Sequence, residues 1–137
     1  MRIKSALLVM LLVAGISAPA NAKELERLDG DWRNPAGTVV VHVHACNGDK
    51  VCAAVIRASA QAAADAREGG TPNLIGTELL RNYTATGRGR WEGRVFVPDE
   101  AETFFSRIHR LDQQSIRISG CILGGLLCKS QVWLRTN

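Results

Sequence analysis

"VVVHVHACNGDKVC", residues Val39 to Cys52, reads as two strands folded back on a tight Asn–Gly turn. Val39, Val41, Val43 and Ala45 alternate with Val40, His42, His44 and Cys46. That period of two sends one set to the inner face of a sheet and the other set outward. Asn47–Gly48 supplies the left-handed backbone that a tight hairpin turn requires. Cys46 and Cys52 then stand at facing ends of the hairpin. Periodicity, turn chemistry and cysteine placement all ask for β structure, so this stretch decides the class.

Working outward, Lys50 to Arg57 is the returning strand. "ASAQAAADAREGG", Ala58 to Gly70, is rich in helix formers and is stopped by Gly69–Gly70 with Pro72 beyond, so it is the one expected helix of the mature chain. Further strands are expected at Thr77–Thr84, Arg90–Val97, Thr103–Leu111, Ser115–Ile122 and Lys129–Arg135, with a short one around Trp32. The expected fold is all-β: a small antiparallel up-and-down barrel of about eight strands, with one Ala-rich helical insertion. Closing the meander removes the exposed strand edges that invite aggregation. A barrel of this size is either filled by its side chains or holds one small ligand.

The N-terminus has the form of an export signal. Arg2 and Lys4 precede the apolar run Ala6–Gly15, and "APANA" ends in an A-x-A cleavage pattern at Ala20 and Ala22. The run is shorter than the roughly 20 residues needed to span a bilayer. Residues 1–22 are therefore expected to be a signal peptide and residues 23–137 a single barrel domain. Ile16 stands where a lipoprotein would need a cysteine, so no membrane anchor is expected. The expected location is the periplasm, or the medium after cleavage. Removing Arg2 and Lys4 lowers the formal charge from +4 to +2. The remaining arginines are scattered, "RGR" at Arg88–Arg90 being the densest cluster, and they form none of the basic stripe that nucleic acid would need.

All four cysteines, Cys46, Cys52, Cys121 and Cys128, lie in the exported part, and an even count in an oxidising compartment reads as disulfides. Four cysteines allow three connectivities, and sequence alone does not choose among them. Local pairing is favoured by the Asn–Gly hairpin, and a second local staple between Cys121 and Cys128 would close the loop "ILGGLL". Metal binding is disfavoured by spacing: zinc-ligand cysteines sit two to four residues apart, closer than either pair here. His42 and His44 share one face of a strand and are the weak metal candidates. His109 is not evidently placed to complete a site, so no metal and no cofactor is expected. The chain carries no Cys-x-x-Cys and no Gly-x-Ser-x-Gly, and Asp99, Glu100 and Glu102 follow Pro98 at a turn where carboxylates are usually solvated. No catalytic constellation emerges.

Five motifs occur in order: "LDGDW" (Leu28–Trp32), "CNGDKVC" (Cys46–Cys52), "WEGRVFVP" (Trp91–Pro98), "SGC" (Ser119–Cys121) and "LCKSQVWLR" (Leu127–Arg135). Together they resemble the small exported bacterial proteins grouped as domain of unknown function 2147, over nearly the whole mature chain. Ala53 replaces the Gly usual after the second cysteine, Gly93–Arg94 replaces Gly-Gly, and Ala58–Pro72 is Ala-rich where relatives carry a polar loop. The chain also resembles lipocalin-like barrels, in which a Gly-x-Trp on the first strand packs at the closed end beneath an Arg of the last strand. That resemblance assigns barrel closure to Gly30, Trp32 and Arg135, with Trp133 sealing the same end; the attraction would be cation–π.

The function expected is binding of a small apolar or amphipathic ligand in the barrel mouth, with the Ala-rich insertion as a lid. The alternative is an interaction module or inhibitor-like envelope protein contacting a protein partner. A monomer is expected in either case. Only seven aromatic residues are present, which argues for a core devoted to closing the barrel over a roomy aromatic-lined pocket.

Overall fold

A computed structural model describes residues 14–15 and 27–136. The expected signal peptide, apart from Ala14 and Gly15, lies outside the described residues. Among the described residues no helix is long and apolar enough to cross a membrane.

Eight strands follow in chain order: β1 (Gly30–Arg33), β2 (Val39–Cys46), β3 (Lys50–Ala58), β4 (Glu78–Gly87), β5 (Arg90–Val97), β6 (Glu102–Arg110), β7 (Ser115–Ile122) and β8 (Leu127–Thr136). Each pairs antiparallel with the next, and β8 returns to β1 with Trp32 opposite Arg135, closing the barrel. Helix α1 (Ala60–Glu68) lies between β3 and β4. It is shorter than the composition of the segment suggests, for a local reason. Ala58 still belongs to β3, and the Ser59 hydroxyl accepts a hydrogen bond from the Ala62 amide at 3.0 Å, which sets the helix start.

The β2–β3 hairpin turns on Asn47 and Gly48, both with positive φ (41° and 79°). Pairing along it slips once: Val40 faces Arg57 but Val41 faces Val55, so Ile56 is an extra residue in β3. The slip keeps Val41, Val43, Ala53 and Val55 together in the interior, each at most 7 % exposed. Disulfides join Cys46 to Cys52 and Cys121 to Cys128, the second between directly opposed residues of β7 and β8.

One end of the barrel, bearing the chain start and the β2–β3, β4–β5 and β6–β7 turns, is packed solid. Trp32, Tyr83, Ile108 and Ile116 are fully buried there, and Trp91 nearly so. The Tyr83 hydroxyl donates to Ser106 Oγ at 2.6 Å, and burial pushes its phenol well above the ordinary range. Gly93 makes room for this ring: a Cβ there would stand 2.6 Å from Tyr83 Cγ. The Gly of the Gly93–Arg94 pair therefore has a packing role.

Candidate functional site

At the packed end, β1 and β8 are tied through Trp32. Its ring carries the Arg135 guanidinium at 4.4 Å and the Arg110 guanidinium at 5.3 Å. Its indole Nε1 donates to the Leu28 carbonyl at 3.0 Å. The two cations reach the ends of other elements as well. Arg110 donates to the carbonyls of Asp112 (2.6 Å), Gln113 (2.8 Å) and Arg27; Arg135 donates to those of Gln113 (3.1 Å) and Asp29. Gly30, at φ 109°, passes so close to Arg135 that a Cβ would stand 2.5 Å from Nη1. Only glycine combines that backbone with that space. Nearby, the Arg27 guanidinium hydrogen-bonds the Asp29 carboxylate and holds it below the usual range. The shallow 250 Å³ depression here is lined by these arginines, Asp29 and two glutamines, so it is the outer face of the knot.

The opposite end is open. It holds a cavity of 640 Å³. The wall is built from inward positions of consecutive strands: Leu80 on β4, Val95 on β5, Phe104 on β6, Ile118 on β7 and Trp133 on β8. Helix α1 contributes Gln61, Ala62 and Asp65 across the mouth, and the β5–β6 turn contributes Pro98, Asp99 and Glu100. On the β7–β8 side the apolar lining continues onto the surface, where Leu123 and Leu126 are 71 % and 88 % exposed beside Ile122 and Leu127. A cavity of this size with an apolar wall and a few polar groups falls within the usual range for small-ligand sites, roughly 300–1,000 Å³.

The structure separates the residues singled out by sequence. Gly30, Trp32 and Arg135 meet at the closed end. Trp133 stands one inward position before Arg135 on β8 and lines the cavity, with Nε1 donating to Gln131 Oε1 at 3.0 Å. It forms the floor of the open half and is not part of the Trp32 stack. His42 and His44 lie on the outer face and meet carboxylates: His42 Nδ1 lies 2.6 Å from Asp31, and His44 Nε2 lies 2.9 Å from Glu78. Among the described residues no group of three His, Cys, Asp or Glu is placed to hold a metal. The expectation drawn from the scarcity of aromatics holds for half of the molecule: Trp32, Tyr83 and Trp91 do fill the closed end, but mainly aliphatic side chains wall a roomy cavity beyond them. Sequence reasoning missed Arg110 and the cavity residues Lys129 and Gln131. Their signal is parity: each sits on the inward register of its strand, two residues from an apolar inward residue (Ile108, Leu127 and Trp133).

The sequence profile of a bacterial family described as "Uncharacterized protein conserved in bacteria (DUF2147)" matches residues 30–135, from the first strand of the barrel almost to the end of the last. The chain belongs to this family. Among solved structures, this DUF2147 protein is similar to one described as "Protein HP1028 from the human pathogen Helicobacter pylori belongs to the lipocalin family". The TM-score is 0.62 at 16 % identity, covering 81 % of this chain and 84 % of that one. At that identity the likeness is one of fold, and it places the DUF2147 barrel among lipocalin-like architectures. No curated protein matches the chain. Two disulfides and a bacterial family fit an extracytoplasmic protein.

Proposed function

We propose that the protein is an exported, periplasmic or secreted, binding protein that takes one small apolar or amphipathic ligand into the open half of its barrel. The observation that carries this reading is the 640 Å³ cavity, floored by Trp133 and walled by inward aliphatic side chains. Leaving such a wall in contact with water is unfavourable, at roughly 25 cal/mol for each Å² of apolar surface, so an apolar guest is stabilised there. The locked end supports the same reading. It closes the barrel without using the open half, which leaves that half free to stay hollow.

A titration with the neutral fluorophore N-phenyl-1-naphthylamine tests this. The mature chain is expected to bind one equivalent with a blue-shifted emission. Val95→Trp, which puts an indole into the cavity, is expected to weaken binding by about tenfold or more, equivalent to roughly 1.4 kcal/mol. Absence of saturable binding, or equal binding by the filled variant, would refute the reading. The exposed Leu123 and Leu126 favour a second reading, in which the rim contacts an envelope protein. Under that reading the filled variant would keep its partner.

A further inference from the structure

Among the described residues the Lys129 side chain makes no ion pair. It stands on the inward register of β8, between Leu127 and Gln131, and lines the cavity. No other cation among the described residues does so. Its neighbour across the sheet on β7 is Gly120, so no β7 side chain covers the ammonium. The next partners around the barrel on the same rung are Ser106 and Gly93, and the Tyr83 ring fills the space over them, so the open space at Lys129 lies on the mouth side of that ring. Beside it, the Gln131 carbonyl accepts from Trp133 Nε1, which leaves the Gln131 amide N–H groups to face a guest as donors. A charge and a donor therefore line the cavity together, next to its apolar wall, and neither offers an acceptor.

From this we propose that the ligand is a single-chain amphiphile with an anionic head, its head on Lys129 and Gln131 and its chain along Leu80, Val95 and Ile118. This rests on the ligand-binding reading above and adds the chemistry of the guest. The carboxylates at the mouth do not argue for a cationic guest. Asp65 accepts from Gln61 at 2.8 Å along its own helix, and Asp99 and Glu100 are exposed on the β5–β6 turn, where solvent and salt screen them. Lys129 is exposed as well, but it projects from the strand wall beside Leu127 and the apolar lining, where a bound head group would shed part of its water and a charge-assisted hydrogen bond would be stronger.

The test compares dodecanoate, dodecanol and dodecyltrimethylammonium as competitors of N-phenyl-1-naphthylamine on the full mature chain. All three have the same chain length and differ in head charge. Dodecanoate is expected to compete about tenfold better than dodecanol, a factor typical of one charge-assisted hydrogen bond. Lys129→Met keeps most of the apolar stem and is expected to abolish that preference, leaving dodecanol within about twofold of its former affinity. Equal competition by dodecanoate and dodecanol, a preference retained in Lys129→Met, or tightest binding of the cationic amphiphile would each overturn the proposal while leaving the ligand-binding reading intact. Failure of all three to compete would overturn both.

Discussion

Trp32→Ala is expected to remove about 3–5 kcal/mol of folding stability, the usual cost of truncating a fully buried Trp. Domains of this size are commonly stable by only about 5–15 kcal/mol, so the loss is a large fraction of the whole. The expectation rests on where the ring sits. Trp32 is 0 % exposed, opposes Arg135 across the β1–β8 seam, and donates to the Leu28 carbonyl. Its removal takes packing from the shortest strand of the barrel, β1, which has only four residues to hold the seam closed. Urea unfolding monitored by far-ultraviolet circular dichroism reads the effect as a lower midpoint at unchanged slope. If the variant does not fold, Trp32→Phe gives a second reading. It retains most of the packing and leaves the Leu28 carbonyl without its donor, for an expected loss of about 1–3 kcal/mol. A cost below about 1 kcal/mol for the alanine variant would show that the ring does not organise the closed end.

The second large effect is expected at Arg110. Arg110→Met should cost about 2–4 kcal/mol, because it removes charge-assisted donors from carbonyls on two different segments, at Arg27 and at Asp112–Gln113. Arg110 is only 5 % exposed, so its charge is held among those carbonyls and over the Trp32 ring and not in solvent. Arg135→Met, at the more open edge of the same ring, should cost about 1 kcal/mol. Both cations lie over Trp32, so the double variant Arg110→Met/Trp32→Ala should cost less than the two single losses together. Urea midpoints of the wild type and these four variants provide the measurement. A loss for Arg110→Met no greater than that for Arg135→Met would contradict the account of the closed end.

These two arginines also mark how far the sequence could be read. The barrel was legible because its signals are local: the valine alternation of β2, the Asn47–Gly48 turn, the paired cysteines and the regular spacing of strands. Arg135 was legible too, since the Trp32 and Arg135 positions together resemble a known closing pattern. Arg110 has no local signature beyond its parity. It follows Ile108 by two residues and so faces inward, but its three carbonyl partners come from a loop of its own hairpin and from the segment preceding β1. Only the closed barrel brings these together.

The cavity was half legible for a related reason. Inward parity identifies Val95, Ile118 and Trp133 as interior residues, but it does not reveal whether opposite walls meet. In the closed half they meet because Trp32, Tyr83 and Trp91 are long enough to reach the middle. In the open half the inward positions include Gly120, Val95 and Ile118, which do not reach the opposite wall and line the cavity. Lys129 was passed over because a lysine in a strand is usually on the solvent face. Only the register opposite Gly120 shows that it faces inward.

The central claim is that the open half of the barrel, and not its surface, receives a small amphipathic guest. Methyl-resolved NMR of the mature chain during titration with dodecanol tests it most directly. The account predicts shifts in the methyl signals of Leu80, Val95 and Ile118, while Ile108 and Ile116 in the packed half stay in place. Shifts confined to the exposed Leu123 and Leu126, or no shifts at all, would contradict it.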